Sequence, residues 1–137
     1  MSSFKIFDIA GSGMSAQSVR LNTVASNLAN ADSVSGDPAS VYRARHPVFQ
    51  AVMGNPGDLS SAQVNVTGIA QSQASPETRY DPGNPLADAQ GNVYAPNVNV
   101  VEEMADMISA SRSYQNNVEV LNTSRDMMLA TLKLGQS

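Results

Sequence analysis

The 137 residues contain no cysteine and no tryptophan, and only three Phe and four Tyr. The first absence excludes a disulfide framework, a thiolate metal site and a Cys nucleophile. So few rings exclude a large aromatic core. Charge is also scarce: Asp, Glu, Lys and Arg make up 15% of the chain, against roughly a quarter in ordinary soluble domains. The eight Lys and Arg are scattered from Lys5 to Lys133, and the net charge is −4. Nucleic acid and anionic membranes are held by clustered cations, so neither is expected as a partner. No stretch approaches the roughly 18 consecutive apolar residues of a membrane span. The N-terminal MSSFKIFDIAGSGM lacks a signal-peptide core because Asp8 interrupts it, so work outside the cytosol would require an exit route without a cleaved signal. A surface this poor in charge does little to oppose self-association, which points to an assembly subunit.

Proline divides the chain into three. All seven prolines lie between Pro38 and Pro96, and residues 1–31 and 97–137 have none. Pro-free ends around a Pro-rich middle predict a mostly α chain: two long terminal helices forming a coiled coil, flanking a small β and loop insert. The expected divisions are 1–36, 37–96 and 97–137.

The first arm repeats every seven residues. Phe7, Met14, Leu21 and Leu28 form one row, and Ala10, Gln17, Val24 and Ala31 follow three residues behind. This is an a/d pattern over nearly four heptads with one polar lapse. Ser2 or Ser3 is the expected cap, with Asp8 near the positive end of the helix dipole. Gly11 and Gly13 weaken the helix by about 1 kcal/mol each relative to Ala, and mark either a flexible point or a close approach of another backbone.

In the last arm Asn99 and Glu102 have capping-box spacing. Val100, Met107, Tyr114, Leu121 and Met128 repeat every seven residues, joined by Met104, Val118 and Leu132, with Ser111 and Arg125 breaking the second row. Val101, Ile108 and Leu129 widen the stripe enough for more than one neighbour. Lys133 and Gly135 are the expected cation and terminator at its end. Neither arm buries its stripe alone. Pairing with each other, with further copies or with related chains is left open by periodicity.

Residues 41–52 and 62–70 are the candidate strands of the middle, joined by the turn-rich 54–60, with Pro47 confining the first strand to an edge or a bulge. Residues 80–92 are expected as a rigid irregular segment held by Pro82, Gly83 and Pro85.

Catalytic material is thin. The single histidine, His46, precedes Pro47 with no local carboxylate or nucleophile to work with. Asp81, Asn84 and Asp88 lack the spacing of a calcium loop and are expected to build a turn. Glu102 and Glu103 are assigned to the cap and to solvent. No phosphate loop, serine elbow or metal-binding helix motif occurs, so no enzyme, cofactor, metal or small-molecule substrate is expected. The asparagines Asn22, Asn27, Asn30, Asn116, Asn117 and Asn122 are poor helix formers inside two helices. They are either solvent-exposed or form amide bonds across a helix interface that fix register and partner choice.

The segment VASNLANADSVSG at 24–36, centred on Ser26, Asn27, Leu28, Ala29, Asn30 and Ala31, resembles the signature of bacterial flagellar axial proteins, the rod and hook subunits. Residues 4–22, 80–108 and 109–136 extend the likeness over both arms. The block with Tyr80, Asp81, Pro82, Asn84, Pro85, Pro96 and Asn97, followed by Arg112-Ser113-Tyr114-Gln115, is similar to the proximal-rod members in particular. Residues 37–79 match poorly. Asp32-Ser33-Val34 departs from the tail common among other axial members, which suits a proximal-rod subunit better than a hook subunit.

The resemblance implies a structural, torque-transmitting subunit of the proximal rod of the flagellar basal body, in the periplasmic space. It implies export by the flagellar type III apparatus and packing of the terminal helices around a central export channel. The implied partners are other rod proteins, copies of the chain, basal-body ring or adaptor proteins and the export apparatus. The interface is expected on Phe7, Met14, Leu21, Val24, Leu28, Val100, Met104, Met107, Tyr114, Val118, Leu121, Met128 and Leu132. The alternatives are another axial position, distal rod or hook, and a self-contained coiled-coil binding module.

Overall fold

A computed structural model describes residues 3–54 and 61–136. The elements are α1 (Ser3–Asn30), β1 (Arg45–Met53), β2 (Ala62–Gln71), β3 (Glu77–Tyr80), β4 (Asn92–Ala95) and α2 (Val100–Gly135). The two Pro-free arms are thus helices of 28 and 36 residues, about 42 and 54 Å long at the usual rise. The expected Ser2 cap and most of the 54–60 turn lie outside the described residues. Asp8 falls in the second turn of α1, and the first turn has no acidic residue, so it is not the dipole partner expected of it.

Asn99 caps α2 as its spacing predicts. Its side chain accepts hydrogen bonds from the amides of Val101 and Glu102 at 3.1 and 3.3 Å, satisfying donors that a helix start otherwise leaves orphaned. The far end differs from expectation. Gly135 is still helical, and the cap is Gln136 in a right-handed conformation, its amide donating to the Lys133 carbonyl.

The insert is two antiparallel hairpins, β1–β2 and β3–β4. Strand β1 starts at Arg45, later than expected, because Val41 and Ala44 are buried in the irregular segment leading to it. The register shifts between Val48 and Phe49, where Thr67 of β2 is the extra residue of a bulge; Pro47 of β1, which donates no ladder bond, sits in a two-stranded sheet, where every strand is an edge. Residues 80–92 are more than an irregular segment. Tyr80 ends β3, Asn92 begins β4, and the intervening loop closes the hairpin. Gly91 turns it at φ +81°, a conformation open to glycine.

Helix α1 lies between α2 on one side and the β1–β2 hairpin on the other. Asn27 meets Glu103 and Gly13 lies against Asn117, so the helices run antiparallel. The buried apolar residues are small: Ala10, Ala16, Val24, Ala31, Val41, Ala44, Val93, Ala95 and Ala110. The largest fully buried side chain is polar, Asn27.

Candidate assembly interface

The N-terminal helix is fastened by that asparagine. The Asn27 amide donates to the Arg45 carbonyl at 2.9 Å and to Glu103 Oε1 at 3.0 Å. Its Oδ1 accepts from the Tyr42 hydroxyl and from the Arg45 amide, both at 2.9 Å. All four bonding positions used are satisfied. One residue of α1 therefore ties together α1, the start of β1 and the first turn of α2. The Arg45 guanidinium lies over the Tyr42 ring, 5.6 Å from its centre. Glu103 is not in solvent, as expected of one of the paired glutamates: it is 4% exposed, and its Oε2 is buried without a partner among the described residues. One heptad along α1, Arg20 pairs with Asp106 at 2.6 Å, both partly exposed. One further, Gly13 leaves room for the Asn117 amide, 2.9 Å from where a Cβ would stand. The glycine serves close approach there; a Cβ on Gly11 would meet nothing within 4 Å.

The residues expected at subunit interfaces divide into two groups. Phe7, Met14, Leu21 and Leu28 are half-buried and Val24 is buried on α1. Met107, Tyr114, Val118, Leu121 and Met128 are half-buried on α2. Val100, Met104 and Leu132 are exposed. The row of α2 that turns most deeply toward α1 is Glu103, Ala110, Asn117 and Ser124, with Glu103, Ala110 and Ser124 buried. Sequence reading placed the second row at 104, 111, 118 and 125 instead, because hydrophobicity marks large side chains while close helix packing selects small ones. Polar or small residues at heptad spacing beside the 107, 114, 121, 128 row were the available signal.

A second apolar surface remains on the outside of α2. Val101 is 76% exposed, and Met104 and Ile108 are more than half exposed. At the other end Met127, Leu132 and Leu134 are exposed, and Phe4, Met127, Met128 and Leu132 line an open cleft. Val101, Ile108 and Leu129, which widened the stripe in the sequence, all lie on the exposed side.

The segments carrying the family resemblance are neighbours in space. Ser35 and Tyr94 exchange two backbone hydrogen bonds, at 2.9 and 2.8 Å, so residues 31–36 dock on β4. A Cβ on Gly36 would run into the Leu86 carbonyl oxygen. Asp81, Asn84 and Asp88 build the loop: the Asp81 amide donates to Gly91, Asn84 donates to Asp81, and Asp88 accepts from the amides of Gln90 and Asn92 at 2.9 Å. The Asn92 amide, with the Tyr94 hydroxyl and Gln90 amide, holds the Asp88 carboxyl below its ordinary pKa. The same carboxylate raises the Tyr94 phenol. Tyr80 is 73% exposed, Pro85 and Asn97 are exposed, and Pro96 is buried. Ala29 is exposed and Asn30 donates to the Ser26 carbonyl. His46 is exposed on β1, paired across the hairpin with Ala70. Among the described residues no three His, Cys, Asp or Glu side chains are grouped to hold a metal ion, and no helix is long and apolar enough to cross a membrane.

Two family models match the chain: the flagella basal body rod protein model over residues 7–36, and the C-terminal model of flagellar basal body rod FlgEFG proteins over residues 89–134. The flagellar basal-body rod protein FlgC of Escherichia coli O6:H1 is 58% identical over 99% of this chain and 100% of its own length. That of Salmonella typhimurium is 57% identical over the same shares. That of Agrobacterium fabrum is 42% identical over 92% of this chain and 90% of its own. None of the matched families is enzymatic.

Proposed function

The chain belongs to the FlgC family of flagellar basal-body rod proteins, and from that premise we propose that it is a structural subunit of the proximal rod. In this reading it is exported by the flagellar type III apparatus, joins the rod in the periplasmic space and transmits torque through packed helices around the export channel. Its neighbours are other rod proteins, copies of itself and basal-body ring or adaptor proteins. A chain without cysteine passes an export channel unfolded with no cross-link to break.

The observation that carries this reading is the apolar surface left on α2 after α1 has packed. Covering Val101, Met104 and Ile108 contributes about 2 kcal/mol each. Three such residues barely offset the roughly 4–15 kcal/mol lost on association, so stable burial requires several neighbours at once, as in a rod. The test is Met104→Asp with Ile108→Asp, expressed in a strain lacking its own proximal-rod subunit. Both residues are exposed, so the helical circular dichroism should match wild type. Swimming in soft agar should be abolished, with purified basal bodies ending short of the rod. Wild-type swimming would reject this surface as the interface.

A self-contained helical binding module is the second reading, favoured by the packing of α1 on α2 within one chain. It predicts that the wild-type chain itself fails to restore rods and swimming in that strain.

A further inference from the structure

Large apolar side chains do not by themselves choose the alignment of the two arms. Phe7, Met14, Leu21 and Leu28 repeat every seven residues, as do Met107, Tyr114, Leu121 and Met128. Sliding α1 along α2 by seven residues, about 10 Å, lays apolar rows on apolar rows again. A third row, Gly13, Arg20 and Asn27, breaks this equivalence, since these residues are also seven apart and no two can exchange places. Gly13 provides space for the Asn117 side chain. Arg20 pairs with Asp106. Asn27 meets Glu103 in a buried setting.

A slide of one heptad toward the α2 C-terminus brings Arg20 to Asn117, whose amide a single Cβ on the native Gly13 would already press at 2.9 Å. It also sets Asn27 against Ala110 and leaves Glu103 without its donor. The opposite slide moves Arg20 toward Glu103, but carries Asn27 beyond the start of α2 and brings Ile6 to Asn117. We propose that Gly13, Arg20 and Asn27, with Asn117, Asp106 and Glu103, form a register lock. It makes the folding chain settle its arms in one alignment out of several that large apolar residues accept equally. The consequence reaches the outer surface, because a slipped pair would displace the Met104–Ile108 stripe by about 10 Å. This inference rests on the packing of α1 against α2 and stands whether or not the chain is a rod subunit.

The test uses the absence of native cysteine. Spin labels at Ser18→Cys and Thr131→Cys, both exposed, on opposite helices and well apart along the helix axis, report the alignment by pulsed dipolar spectroscopy. Wild type should give one narrow distance. Asn27→Leu with Glu103→Leu removes the buried polar pair while keeping side-chain bulk, a change that folded proteins often tolerate. It should add a second population displaced by about 10 Å while the helical signal persists. A folded double variant with the wild-type distance alone overturns the proposal. Should that variant lose its cooperative melt, the same labels in Gly13→Leu decide, since this change obstructs the native alignment and removes no polar partner. There too a second distance is expected, and an unchanged single distance refutes the lock.

Discussion

Asn27→Ala is the substitution whose consequence can be worked most directly from the geometry. The side chain is fully buried and holds four hydrogen bonds. Its loss removes the donor to Glu103, a buried carboxylate whose other oxygen is already without a partner among the described residues. An orphaned charged group of this kind costs about 2–3 kcal/mol. The Arg45 amide and carbonyl are each left for water to satisfy; since Arg45 is an exposed residue, about 1 kcal/mol for the two together is reasonable. Tyr42 retains the Ser26 hydroxyl at 3.2 Å and adds little. The total is about 3–4 kcal/mol, a large share of the roughly 5–15 kcal/mol that holds a domain folded. Urea unfolding followed by circular dichroism should show the midpoint falling by about 1–2 M at an ordinary slope. Glu103→Gln is the control. It keeps an acceptor for the Asn27 amide and removes the buried charge, so it should remain within about 1 kcal/mol of wild type. A loss below 1 kcal/mol for Asn27→Ala, or a larger loss for Glu103→Gln, would refute the reasoning.

Other positions give further checks. Gly11→Ala adds a methyl to open space and should raise stability by about 1 kcal/mol, whereas Gly13→Ala should gain clearly less because the Asn117 amide must move; thermal melts of the pair decide. Gly36→Ala forces the segment after α1 away from the Leu86 carbonyl, with an expected loss of about 1–3 kcal/mol and faster hydrogen exchange at the Ser35 and Tyr94 amides; unchanged exchange there would be contrary evidence. Asp88, its pKa depressed mainly by the Asn92 amide, stabilises the loop above the ordinary carboxylate pKa near 4 and ceases to as pH falls through its lower folded value. Exchange protection at the Gln90 and Asn92 amides should therefore fade in that acid window in wild type and be absent at neutral pH in Asp88→Ala.

Much of the architecture was legible because its signals are local. Proline placement bounded the helices, Asn99 announced the start of α2, and Pro47 foretold an edge strand. The heptads of both arms were visible in Phe7, Met14, Leu21 and Leu28 and in Met107, Tyr114, Leu121 and Met128. The companion row of α2 was not. Glu103, Ala110, Asn117 and Ser124 carry little hydrophobicity, so a search for apolar side chains passes them by. The β3–β4 hairpin was missed for another reason: its strands are four residues each, and the prolines between them mask the pairing of Tyr80 with Asn92. Asn27 was noticed as an asparagine in a helix needing a reason, but the reason, Arg45 and Glu103, is distant in sequence.

The distribution of residue types suggests how one short chain serves two kinds of contact. Where α1 meets α2, the deepest positions are small or polar, Ala10, Asn27, Glu103, Ala110 and Ser124, and Gly13 allows the closest approach. Hydrogen bonds and close approach are directional and fail when misaligned, so they suit a pairing that must form once, in one register, within each molecule. On the outer face of α2 the residues are Val101, Met104, Ile108, Met127 and Leu132, all apolar. Apolar contact is non-directional and methionine adapts to irregular neighbours, which suits the proposed packing against chains similar to but not identical with its own. Exchanging the two chemistries would undo both roles. A polar outer face would bind only one neighbour, and an inner face of large apolar residues would accept every heptad shift. The low charge of the chain agrees with the proposed assembly, since a surface that neighbours cover has little use for the repulsion that keeps monomers apart.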